Sequence, residues 1–199
     1  LSDKATIWAY YPYNQSVTDG TRIPVPVNAG TPIDYMWGKS TNQVSVVETD
    51  ARIPMKHALS QLVVRLKVSP EYHNDGNLTS ARLKSSSAKF ATTGTMNLND
   101  GGKITFSPTT TELSWAPNTT VPAQGQQAVD FAAAVYPMTL ASGEVTLEVV
   151  IDGATYTYSI PQITWEAGKR YIYSITMRSN NAEIGGSNGQ SVTIEGWTS

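Results

Sequence analysis

The chain is 199 residues long, with 14 Lys and Arg against 16 Asp and Glu, and charged residues make up only 15% of it. A formal net charge of −2 gives no electrostatic reason to expect nucleic acid or an anionic membrane surface as a partner. With no cysteine there is no disulfide framework, thiolate metal ligand or cysteine nucleophile, and no stretch approaches the roughly 20 apolar residues of a membrane-spanning helix.

Low charge with abundant Thr, Ser, Asn and Gly fits an exported β protein with hydroxyl-rich faces. The chain opens Leu1-Ser2-Asp3 with neither an initiator Met nor a signal peptide, as a trimmed or processed chain does. Residues 7–13 and 23–27 are extended segments, and Pro12, Pro24, Pro26 and Pro32 mark them as edges or short strands. About 50 residues this rich in proline do not easily form an independent core. Residues 1–50 therefore read as part of an N-terminal β domain or as an extension, with a boundary near residues 48–52 and a complete domain over 51–199.

Within that domain, Met55, Leu59 and Leu62 have helix-like spacing, but Pro54 and the β-branched run beyond predict a turn entering a strand. Leu62, Val64, Leu66 and Val68 then alternate with Val63, Arg65 and Lys67. Residues 74–77 and 99–102 are turn-rich, the latter separating 95–98 from 103–106. Residues 109–122, rich in Pro and Thr, read as a loop. Residues 128–135 predict a strand despite their alanines. Asp152-Gly153, between two alternating runs, is a strong hairpin signal, because a type I′ turn needs φ > 0 at both central residues. Tyr171, Tyr173, Ile175 and Met177 share one face of the clearest strand. The expectation is an all-β sandwich with at most one short helical turn.

No constellation points to catalysis, a cofactor or a metal. The only histidines are His57 and His73. His57 lies three residues from Ser60, but nothing around them resembles a nucleophile turn, and His57 is expected to fix a turn or pack at a strand start. Gly185-Gly186-Ser187-Asn188-Gly189 spells a nucleophile motif without a following helix or a downstream His, and reads as a linker. Two scattered His and no Cys leave no zinc set. Asn74-Asp75-Gly76-Asn77 and Asn99-Asp100-Gly101 offer oxygens, but turn chemistry explains both without calcium. Glu144, Glu148, Glu166 and Glu195 fall beside turns or on polar faces, where solvation is the simpler reading. Among the aromatics, Trp115, Trp37 and Tyr35 are candidates for stacking on a sugar ring, whereas Trp8, Trp165 and Trp197 read as core or sheet-edge residues.

Five patches in order resemble the fimbrillin family, the Mfa-like pilins of type V fimbriae. They are Ile7-Trp8-Ala9-Tyr10-Tyr11-Pro12-Tyr13; Asp34-Tyr35-Met36-Trp37-Gly38; Met55-Lys56-His57-Ala58-Leu59-Ser60-Gln61-Leu62; Trp165-Glu166-Ala167-Gly168-Lys169-Arg170-Tyr171-Ile172-Tyr173; and Val192-Thr193-Ile194-Glu195-Gly196-Trp197. The resemblance implies transthyretin-like β-sandwiches in an extracellular protein of the outer-membrane surface or fimbrium. It also implies partner subunits that exchange β-strands, and a lipid anchor upstream of these residues. A host protein or glycan is a further possible ligand. On this reading Val192, Thr193, Ile194 and Trp197 form a strand donated to a neighbour, after a polar tether at 181–191. The alternatives are that they close their own sandwich, or that the whole is an exported carbohydrate-binding module.

Overall fold

A computed structural model describes residues 4–74, 76–115, 119–120, 128–178, 181–184 and 192–197. In chain order the strands are β1 Trp8–Tyr11, β2 Ile23–Pro24, β3 Met36–Lys39, β4 Met55–His57, β5 Ser60–Val68, β6 Asn77–Ser85, β7 Gly94–Asn97, β8 Lys103–Phe106 and β9 Glu112–Trp115. There follow β10 Thr119–Thr120, β11 Val129–Val135, β12 Met138–Leu140, β13 Val145–Ile151, β14 Ala154–Ser159, β15 Ile163–Trp165, β16 Lys169–Arg178, β17 Asn181–Ile184 and β18 Val192–Gly196. None of the described residues is helical.

Two five-stranded sheets make a sandwich. One has the order β10-β6-β13-β14, with β9 also on β6; the other is β11-β5-β16-β17, with β18 also on β16. The alternation read from sequence decides which side chains meet. Leu62, Val64 and Leu66 of β5 and Tyr171, Tyr173, Ile175 and Met177 of β16 face Ala81 and Leu83 of β6 and Val145, Leu147 and Val149 of β13. A register shift between Val150 and Ile151 lets Ile151 pair with Leu78 and keeps both buried. Each such fully buried aliphatic chain contributes about 1.5–3 kcal/mol. The β13–β14 hairpin turns at Asp152 (φ 49°) and Gly153 (φ 77°), as the turn chemistry requires. Asp152 also accepts from Gly76 N (2.9 Å), Asn77 N (2.8 Å) and Tyr72 Oη, closing the loop before β6. Burial and the bond to Asp152 push the Tyr72 phenol up to about 12.

A second core lies at one end of the sandwich. Ile23, Val25, Val27 and Tyr35 pack there with Ala58, Leu59, Ala91, Met96, Leu98, Ala134 and Tyr136. The three-stranded sheets β1-β3-β4 and β2-β7-β8 wall it. Both cores thus draw residues from either side of position 50, and the β3–β4 ladder pairs Met36 with His57 across it. The prolines have a positional reason. Val25 and Val27 donate to the carbonyls of Gly94 and Thr92 (both 2.9 Å), so the alternating Pro24 and Pro26 put their missing donors on the outer edge. Tyr136 ties the core together: its hydroxyl donates to Val25 O, and its ring stacks on Phe106 (centroids 4.6 Å apart).

Candidate assembly edge

The C-terminal strands lie along one side of β16. β17 pairs with Ile175–Arg178 and β18 with Lys169–Tyr173, both antiparallel and running the same way. Since Ile184 opposes Ile175 and Val192 opposes Tyr173, the two form one edge strand interrupted opposite Ser174. The linker residues 185–191, with the Gly-x-Ser-x-Gly sequence, lie outside the described residues.

Little side-chain burial holds β18. Thr193, Ile194, Glu195 and Gly196 are exposed, Ile194 at 55%. The strand is anchored at its end. Trp197 N donates to Gly168 O (2.9 Å), and its indole lies flat on the His57 ring, centroids 4.5 Å apart at 4°. His57 is held in turn through Nδ1 and Asp34 Oδ1, 2.8 Å apart. Gly168 takes φ +73° at the turn into β16, and its N–H donates to Leu59 O (2.9 Å). Four of the five sequence patches therefore meet at one joint, through Asp34, His57, Gly168 and Trp197. The first patch pairs with the second in the β1–β3 ladder. His57 indeed packs at a strand, but its partner Trp197 is 140 positions away in the chain, which local pattern could not reveal.

Of the aromatics proposed for sugar stacking, Trp115 and Tyr35 are buried and Trp37 is not. Trp115, expected in a loop, sits in β9 opposite Ala81 and is only 7% exposed, within the main core. The Thr- and Pro-rich composition concealed a Glu-Leu-Ser-Trp strand whose alternate residues, Leu113 and Trp115, turn inward. Tyr35 is 6% exposed, and burial raises its phenol pKa. Trp37 is half-buried and closely contacted: Lys56 Nζ lies 5.3 Å from the ring centroid, and a Cβ at Gly102 would fall 2.2 Å from the indole. An open groove of roughly 610 Å³ runs beside it, bordered by Lys56, His57, Lys103 and Gly168.

Glu144, Glu148 and Asp130 are paired with basic side chains. Glu148 was expected in solvent but is 8% exposed, where it bridges Lys84 (2.9 Å) and Arg82; those bonds, Lys84 foremost, hold its carboxyl below the usual range. Glu144 pairs with Lys89 and accepts from Ala141 N (3.0 Å). Glu166 and Glu195 are exposed. Asp130 joins Arg65 and Arg170 over the outer face of the β5 sheet, and the Arg65 bond lowers its pKa. The 99–101 turn closes on itself, Asn97 Oδ1 accepting from Asn99 N at 2.9 Å. Asp75 lies outside the described residues, and among those described no group of three His, Asp or Glu could hold a metal.

Comparison with known proteins gives a consistent picture. A family model described as fimbrillin-like matches residues 2–197. A Bacteroides uniformis protein provisionally named fimbrium subunit Fim1C is 24% identical, covering 96% of this chain and 60% of its own length. The chain thus spans about 60% of the length of that relative. A crystal structure of a provisionally assigned cell adhesion protein from Bacteroides uniformis superposes with a TM-score of 0.73 at 21% identity, covering 98% of this chain and 73% of that one. The tip fimbrial protein Mfa3 of Porphyromonas gingivalis, solved with a C-terminal truncation, gives 0.54 at 10% identity, over 89% and 70% of the two chains. At these identities the superpositions speak for the fold.

Proposed function

The chain belongs to the fimbrillin-like family, and from that membership we propose that it is part of a non-enzymatic, cell-surface fimbrial subunit that assembles by exchanging a β-strand with its neighbours. The observation that carries the proposal is the state of β18, an edge strand with exposed side chains, fastened by one terminal aromatic. Of the C-terminal residues, Trp197 packs against the second core, so a strand of this kind leaves its sheet by giving up that one core contact. It costs the subunit the ladder bonds to the lower half of β16 and the Trp197 contact. The same ladder bonds re-form when the strand lies along an acceptor edge in a partner, so the exchange is near balance and concentration drives it.

Val192, Thr193, Ile194 and Trp197 are the donated residues on this reading. In the subunit before assembly they close their own sandwich, so the two readings of the C-terminal strand describe successive states. The partners are other fimbrial subunits at the extracellular surface. Attachment to the outer membrane is by a lipid anchor, and residues 1–50 belong to an N-terminal β portion of the subunit.

The test is deletion of residues 187–199 in the full-length protein, with assembly followed by electron microscopy and by denaturant-resistant ladders on gels. Loss of polymers with a retained fold is expected. Undiminished polymers would defeat the proposal.

A further inference from the structure

The edges of the sheets are not equally protected, and the exception is β14. An exposed strand edge templates pairing with another chain unless charge, proline, shortness or cover prevents it. Pro24 and Pro26 blank the edge of β2, and Lys56, Lys103, Asp130 and Glu195 put charge on β4, β8, β11 and β18. β9 and β17 each contain a glutamate, and β1, β10, β12 and β15 are only two to four residues long. β14, Ala-Thr-Tyr-Thr-Tyr-Ser, runs six residues with neither charge nor proline.

Its register shows what it offers. Ile160 N donates to Val145 O (2.9 Å), and counting back along the ladder makes Tyr158–Leu147 and Tyr156–Val149 the hydrogen-bonded pairs with β13. The N–H and C=O groups of Thr155, Thr157 and Ser159 therefore point away from β13. These three residues are exposed, and no hydrogen bond from another described residue reaches that side of the strand. Tyr156 and Tyr158 anchor the other face on the core, so the edge is held rigid.

We infer that the outer edge of β14 binds β14 of a second copy, antiparallel about a two-fold axis through Thr157. The strand is self-complementary in that arrangement. Thr157 meets Thr157 and Thr155 meets Ser159, so each outward N–H finds a carbonyl. The outer face becomes a row of hydroxyl pairs, which are favourable cross-strand neighbours. No charge opposes a like charge within the strand, and each subunit's outer sheet continues into the other's. The contact is isologous and closes on itself as a dimer. It lies in the sheet that does not carry β18, so it joins subunits or fibres side by side and is independent of strand exchange.

The absence of native cysteine makes the register directly testable. Hydrogen-bonded antiparallel partners lie about 5.5 Å apart at Cα, inside the range a disulfide spans. Thr157→Cys in the otherwise intact chain is expected to oxidise to a dimer at least about tenfold faster than Thr155→Cys or Ser159→Cys alone. Mixing the latter two is expected to restore the fast rate as a mixed dimer. Equal rates for all three single variants, or monomer only from Thr157→Cys at high protein concentration, would overturn the inference. Polymer loss on deleting residues 187–199 leaves this expectation unchanged, so the two claims fail separately.

Discussion

Trp197→Ala tests whether the C-terminal strand is a separately releasable element. The substitution removes the stack on His57 and the burial of a half-buried indole, and leaves the Trp197 N–H to Gly168 O bond available. Stacking of aromatic rings is worth about 0.5–1.5 kcal/mol. Half the burial of a large aromatic adds about 1 kcal/mol. The anchor therefore contributes about 2 kcal/mol, or about a 30-fold change in the opening equilibrium of the strand. Native-state hydrogen exchange reads this locally: β18 amides, and the β16 amides that pair with them, should exchange about 30-fold faster. Amides of β6 and β13 should be nearly unchanged, because both strands lie in the sheet that does not carry β18. Trp197→Phe keeps part of the stack and should fall between. A uniform acceleration across both sheets would refute the reasoning, since it would make β18 part of the global cooperative unit.

Two further outcomes follow from particular contacts. Gly102 combines φ +71° with a Cβ position 2.2 Å from the Trp37 indole, so Gly102→Ala must both strain the backbone and displace the ring; a loss of at least about 2 kcal/mol is expected, lowering the melting temperature by about 4–8 °C with a change in tryptophan emission. Glu148 has a folded-state pKa below its ordinary value, held there first by Lys84. Its contribution is therefore present above the unfolded-state pKa, near 4.3, and is lost as pH falls through the folded-state value. Glu148→Gln should cost about 1–2 kcal/mol at pH 7 in denaturant titrations, and the gap from the parent should narrow below about pH 4. A gap constant with pH would contradict the ion-pair assignment.

Most of the sandwich was legible because its strands bury alternate residues. Tyr171 to Met177 and Leu62 to Leu66 needed only a period of two, and Asp152-Gly153 needed only the backbone demand of its turn. The N-terminal segment was legible in part. Ile23, Val25, Val27 and Ala29 alternate inward, but the intervening prolines point to edges and away from the core that the first three share with Met96 and Leu98 and from the main core that Ala29 joins. In the 109–122 segment the Pro- and Thr-rich composition hides the two-residue alternation of Leu113 and Trp115. The joint of Asp34, His57, Gly168 and Trp197 shows the limit of local reading. Each residue looks ordinary where it stands, and only long-range pairing of β3 with β4 and of β16 with β18 brings them together.

Strand exchange is tested most directly by locking β18 in place. Trp197 and Gly168 form a hydrogen-bonded pair, so their neighbours Gly196 and Lys169 face each other at a non-hydrogen-bonded position, about 4.5 Å apart at Cα, where a disulfide fits. Nothing lies within 4 Å of a Cβ at Gly196, so the change is accommodated. The measurement is polymer formation by full-length Lys169→Cys/Gly196→Cys protein, oxidised and then reduced. Oxidised protein should stay unassembled and reduction should restore assembly, whereas polymers forming equally well from oxidised protein would contradict donation of this strand.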